Sequence, residues 1–218
     1  MTTTTYSTTA VATNRLISCG MAAGPFYVAV VVAQVFARDG FDPTKHAASL
    51  LTLGDYGWIQ IANFVITGVL LILGAIGLHQ TGAFGSRWAP RLLGLYGVSM
   101  IAAGALVPDP ALGFPVGTPD GQPVTMSWHG VGHFAAGGVG FLGFIICCFV
   151  LARRFAAGGE RGWSAYSIGT GVVFLAAFAG IGSGSAGAGV TVAFWIAVVL
   201  AFGWITAVLR QADRRTGD

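Results

Sequence analysis

Six stretches of about twenty mostly apolar residues constrain this chain more than any other feature, because each is long enough to cross a bilayer core as a helix. They run over approximately Leu16–Ala37, Gly57–Leu78, Trp88–Val107, Trp128–Ala152, Trp163–Gly182 and Val190–Leu209. Backbone N–H and C=O groups find no water in hydrocarbon, so a span of this length satisfies them internally as a helix. The connections hold at most about twenty residues, too few for a soluble domain. The expected fold is therefore all-α: a polytopic membrane protein with six transmembrane helices in one bundle, and residues 1–218 forming a single membrane domain. The run GIGSGSAGAG between the fifth and sixth stretches reads as a turn.

Composition enters as an exclusion. The chain is 55% hydrophobic and only 9% charged, whereas a soluble domain carries roughly a quarter charged residues. Disorder, a disulfide-rich secreted scaffold and a soluble nucleic-acid binder are all excluded on that ground. The net charge of +3 comes from arginines at helix ends, so no nucleic-acid partner is expected. The expected partners are the lipid bilayer and a membrane protein.

Those same arginines predict the orientation. With the N-terminus inside, Arg15, Arg87, Arg91, Arg153, Arg154, Arg161, Arg210, Arg214 and Arg215 gather on the cytoplasmic side, against Arg38 and Lys45 outside. Cytoplasmic loops carry the excess of basic residues, so both termini are expected in the cytoplasm and the protein in the cytoplasmic membrane. Tryptophans favour the membrane interface. Trp58 and Trp128 fall at outer helix ends, with Trp88, Trp163 and Trp204 near inner ends. Cys19 follows a Thr-rich polar arm instead of an apolar core, so Leu16–Cys19 is not a lipoprotein signal, and the first stretch is long enough to span instead of being cleaved. Cys147 and Cys148 are read as small packing residues.

Chemistry-bearing side chains concentrate at the outer face. Helix four opens SWHGVGHFAAGGVG, which sets His129 and His133 one turn apart on one face. Gly132, Ala136 and Gly140 form a small-residue stripe beside them that lets a neighbouring helix approach, so both imidazoles are expected to face the bundle. Helix two opens GWIQIANFVITG and puts Gln60, Asn63 and Thr67 on one face, with Tyr56 a turn above. Amides in hydrocarbon need partners, so this stripe is expected to point inward. Gln60, Asn63 and Tyr56 are candidate ligand-binding residues, or inter-helix glue. Asp109, set between Pro108 and Pro110 in LVPDP, leaves the helix register. It is either a solvated turn residue or an acid folded back over helix four toward the histidines.

His46, Ser49 and Asp55 in the first long loop complete an outer constellation. A His pair at this spacing suits a metal ion, and His129, His133, Asp109 and His46 are the candidate ligands, with zinc the candidate cofactor. The alternatives are a hydrogen-bonded structural cluster and a proton-linked or ligand-binding group. Axial haem ligation is not expected, since one helix cannot supply both faces of a porphyrin from adjacent turns.

The strings DPTKHAASLLTLGDYGWIQIANF, LVPDPALGFPVGTP, SWHGVGH and RRFA, in this order between Arg38 and Ala156, resemble a bacterial six-helix integral membrane family catalogued only as a domain of unknown function. That resemblance implies fold and topology, with no activity to carry over. A looser one is to the membrane hydrolases that include alkaline ceramidases and progestin-adipoQ receptors, which set Ser, Asp and three His around zinc with an HxxxH pair. Here His129 and His133 match the pair, with His46, Ser49 and Asp55 offered for the rest. Those proteins have seven helices and carry the pair late in the chain.

The expected function is therefore an accessory subunit or a small-ligand or lipid binder with an outward-facing His/Asp pocket. The alternative is a zinc-dependent hydrolase of a lipid amide or ester, in which the metal would activate water. A transporter has little support, because no charged residue falls in mid-membrane.

Overall fold

The computed structural model describes residues 3–184 and 187–217, with side chains described for 13–184 and 187–215. Six α-helices follow one another: α1 Thr3–Ala37, α2 Gly57–Thr81, α3 Trp88–Ala105, α4 Trp128–Ala157, α5 Arg161–Gly182 and α6 Ala188–Gly217. A 3-10 turn, Ala48–Thr52, lies between α1 and α2. No strand occurs among the described residues. Ser185 and Ala186, within the expected α5–α6 turn, lie outside the described residues.

Each helix packs on its neighbour in sequence, and α6 closes against α1, so the six form a ring. The connections α1–α2, α3–α4 and α5–α6 lie at one end, called here the loop end; α2–α3, α4–α5 and the termini lie at the other, the terminal end. Five helices are long and apolar enough to cross a membrane, which is the pattern of a multi-pass membrane protein. The exception is α3, only 18 residues long with Pro90 and Arg91 in its first turns.

Five helices run further than the apolar stretches, α2 and α5 by only two or three residues and the other three by more. α1 begins at Thr3, α4 continues to Ala157, and α6 to Gly217. Hydropathy marks only where lipid begins, and a helical ladder carries on into polar residues without it. α3, in contrast, ends at Ala105, short of Val107, where the Pro-rich strap after it takes the chain out of helix.

Small residues set the helix spacing. A Cβ on Gly74 would stand 2.7 Å from the Gly20 Cα, and one on Gly97 would stand 2.7 Å from the Gly68 carbonyl oxygen, so α1–α2 and α2–α3 approach backbone to backbone. Pro25 interrupts α1. It has no N–H to give to the carbonyl four residues back, and Thr206 of α6 donates its hydroxyl to that carbonyl, Met21 O, at 3.2 Å. The same turn of α1 is pressed against α6, because a Cβ on Gly24 would meet the Phe202 Cβ at 2.9 Å.

Tryptophan placement divides in two. Trp58, Trp88 and Trp128 are exposed at helix ends, as an interfacial belt requires. Trp204 is instead buried in the core, donating through Nε1 to the Ser167 hydroxyl at 3.0 Å. Its height along α6 points to the interface; its face of the helix puts it inside. Cys147 and Cys148 are buried and unbridged.

At the terminal end, Arg215 of α6 ties two connections together. It pairs with Glu160 between α4 and α5, donates to Ala83 O between α2 and α3 at 3.2 Å, and lies 4.9 Å above the Phe84 ring.

Candidate functional site

The two long connections at the loop end fold onto each other. His46 joins them: its Nδ1 accepts the Asp42 N–H at 2.9 Å, and its Nε2 stands 2.9 Å from Leu112 O. An imidazole nitrogen that accepts a backbone N–H carries no proton, so the proton is on Nε2, which donates to Leu112. Phe41 and Phe114 flank the ring with centroids at 5.2 and 5.4 Å, and Trp195 of α6 donates to His46 O at 3.1 Å. Arg38, one residue past α1, bonds to Leu51 O and Leu53 O at the end of the 3-10 turn. Burial draws its guanidinium below the usual range, while the nearby Asp55 and Tyr56 pull it upward.

Asp109 does turn back over the start of α4. Its Oδ2 accepts the Ser127 N–H at 2.9 Å, and the Ser127 hydroxyl accepts the Gly130 N–H at 3.1 Å. A carboxylate and a serine cap thus share the positive end of α4. The partner of this acid is helix backbone, and among the described residues no histidine is hydrogen-bonded to it.

The HxxxH pair separates. His133 is buried, and its Nδ1 lies 2.9 Å from Ala103 O and 2.8 Å from Leu106 O. Two carbonyl acceptors on one nitrogen place the proton there, so His133 caps the last turn of α3. His129 is exposed and stacked on Trp128, with ring centroids 3.5 Å apart. The expectation that both face the bundle fails for His129 because it lies one turn nearer the loop end, beyond the last helical turn of α3, with no neighbouring helix to face.

No group of three or more His, Cys, Asp and Glu among the described residues stands together as a metal site. His46 uses its lone pair on Asp42, Asp109 is committed to Ser127, and His129 faces outward. Residues so arranged do not fit a shared zinc ion. Asp55, offered for the hydrolase likeness, is exposed and acts on Arg38.

Gln60, Asn63 and Thr67 are all buried, as their stripe implied. Gln60 Oε1 accepts from Gln34 Nε2 at 2.7 Å and from Asn63 Nδ2 at 3.1 Å. Asn63 Nδ2 also reaches Tyr27 O at 3.2 Å. The stripe thus ties α2 to α1. Tyr56 does not join it. It is 61% exposed, one residue ahead of α2, where a helical extrapolation of its direction no longer holds.

Beneath the folded loops lies a cavity of about 120 Å³. All six helices and the residues Ala47–Ser49 contribute to its wall. Eight of the lining side chains are aromatic and none is Asp, Glu, Lys or Arg. Ala47–Ser49 roof the loop end, and the buried Phe41–His46–Phe114 cluster adjoins them. On the side, Gly137 and Gly138 of α4 and Phe178 and Ile181 of α5 are only half-buried, and Phe134 is 57% exposed. Deeper in, a Cβ on Gly171 would stand 3.1 Å from the Cys148 Cβ, so α4 and α5 close together below the opening. The cavity is therefore roofed at its end and open at its flank.

A family described as "Protein of unknown function (DUF998)" matches residues 21–211. The chain belongs to this family. No curated protein and no solved structure matches it.

For this DUF998 member most of the cavity wall was not read from sequence. Gln34, the partner of Gln60 outside the wall, could have been found as the one amide in the apolar part of α1. Tyr27, Tyr96 and Ser99 of the wall offered only polar tips within apolar runs. Phe141, Phe178 and Phe194 carry no local signal, because a phenylalanine facing a cavity and one facing lipid are the same letter.

Proposed function

We propose that the protein is a six-span bundle in the cytoplasmic membrane, with both termini cytoplasmic, that holds an apolar small molecule or lipid in the cavity. It acts as a binder or accessory subunit of a membrane protein partner. α3 completes the six spans: it is wedged between α2 and α4 and needs less lipid-facing apolar surface than its neighbours. The positive-inside bias supports the orientation. The pocket lies under the folded loops, in the half of the bundle that this orientation places outside, and its polar groups come from His133, the tyrosines and serines.

The observation that carries the reading is the uncharged, aromatic wall with its opening on the flank. Ligand sites are concave and mostly apolar with few polar groups. A charged molecule would lose its hydration here without gaining a counter-charge. The opening lies roughly 9–20 Å along α4 from its start, at the depth of acyl chains, so a lipid-soluble molecule reaches it sideways from the bilayer.

The test uses Trp195, which lines the cavity, and a bromoalkane quencher in nanodiscs. Saturable quenching that disappears in Trp195→Phe and in Gly138→Leu, whose side chain fills the cavity, is the expected result. Quenching that rises linearly with membrane bromoalkane, alike in all three proteins, would refute the proposal.

A further inference from the structure

We infer that the molecule held in the cavity is a neutral lipid-soluble alcohol, its hydroxyl donating to Nε2 of His133. This rests on the binder reading above and adds the chemistry of the polar group.

His133 is the one ionisable imidazole in the cavity wall. Its Nδ1–H is committed to Ala103 O and Leu106 O. The opposite edge of the ring, with Nε2, points away from α3, and among the described residues nothing bonds to it. In the neutral ring that nitrogen holds a lone pair and is purely an acceptor. The α3 carbonyls hold the ring in this sense, since a flipped ring would set Cδ2–H against the two carbonyl oxygens and the other tautomer a lone pair, and either would lose both bonds.

An acceptor in the wall of an apolar cavity selects against ligands by what they lack. A ketone, an ether or an ester presents only acceptors and leaves Nε2 unpaired against oxygen lone pairs. A carboxylate adds an uncompensated charge, since the wall holds no cation. An ammonium can donate, but no carboxylate in the wall balances it. A hydroxyl donates while remaining neutral. Its own lone pairs have donors nearby: Ser99 and the phenols of Tyr27 and Tyr96 also line the cavity. The body of the molecule meets aromatic rings from several helices, and the cavity volume of about 120 Å³ compares with the ~150 Å³ void that takes up benzene. That favours a ring or a slender chain over a two-chain lipid.

The experiment compares bromine-tailed probes on the full-length protein in nanodiscs, reading the Trp195 component of fluorescence by difference with Trp195→Phe. The probes are ω-bromoundecanol, its methyl ether, ω-bromoundecanoate and bromoundecane. The alcohol is expected to half-saturate quenching at a concentration about tenfold below the ether, the acid and the alkane, a ratio that one satisfied buried hydrogen bond supplies. In His133→Asn, whose amide N–H still reaches the α3 carbonyls but which lacks Nε2, the preference is expected to vanish while alkane binding persists. Equal half-saturation by alcohol and ether in the unaltered protein would overturn the inference and leave the binder reading standing, as would a preference that survives in His133→Asn. Absence of saturable quenching by any probe would overturn both. If His133→Asn does not fold, the alcohol-to-ether ratio in the unaltered protein decides alone.

Discussion

Thr206 on α6 donates to Met21 O on α1 at 3.2 Å, filling the one helical position that Pro25 leaves open. A hydroxyl that replaces a missing backbone donor is coupled to the residue that removed it. Thr206→Val should therefore cost about 1–2 kcal/mol, the penalty of an orphaned buried carbonyl. In a Pro25→Ala background, where the new backbone N–H serves Met21 O, the same substitution should cost close to nothing. Equal losses of melting temperature in both backgrounds, measured in detergent, would show that the bond does not stand in for the helical one.

Asp109 occupies the space beside the Gly130 α carbon, where a Cβ would overlap its carboxylate. Gly130→Ala should push the acid off the α4 cap and cost about 1–3 kcal/mol. Gly169→Ala, with nothing within 4 Å of its Cβ position, should be neutral or gain about 0.5–1 kcal/mol through helix propensity. Thermal melting of the pair checks the difference; a loss of the same size at both positions would contradict the cap.

His46→Phe keeps the aromatic stack of the loops and removes both ring hydrogen bonds. It should cost about 1–3 kcal/mol, since Asp42 N–H and Leu112 O lose their partner, and it should open residues 106–127 to limited proteolysis. His129→Ala should change stability by less than about 0.5 kcal/mol, as exposed substitutions do. Similar protease sensitivity in the two variants would remove the special position of His46.

Asp42 contributes to the acid limb of stability. The Thr44 hydroxyl and N–H hold its carboxyl below the usual range, with Lys45 and His46 adding attraction and a slight desolvation opposing. A carboxyl lowered on folding stabilises above its unfolded value near ~3.9, and that stabilisation is lost as pH falls through the lower folded value. Between pH 7 and ~5 the Asp42→Asn variant should lie below the unaltered protein in melting temperature by a constant amount. Below pH ~4 the two should converge, and curves that stay parallel there would rule the contribution out.

Helices were legible because bilayer thickness imposes a length and lipid a composition, and each stretch displays both. Ends at the terminal side were less so, since Arg210 to Arg215 are as compatible with helix as with loop. The buried amides of α2 were legible for the same reason as the helices: an amide has few places to go in hydrocarbon. Tyr56 and His129 depart from expectation because helical periodicity predicts direction only as far as the last turn that has a neighbour.

Local sequence decided where the chain is helical, which residues need shielding from lipid, and where the arginines fall, because each of these depends on transfer between water and hydrocarbon, residue by residue. The assembled bundle decided the rest. It committed the lone pair of His46 to a loop and the proton of His133 to α3, dispersed the residues a metal would need, and left aromatic rings from distant helices around a common space. Those outcomes depend on which backbone group lies about 3 Å away, and that is a property of neighbours in space.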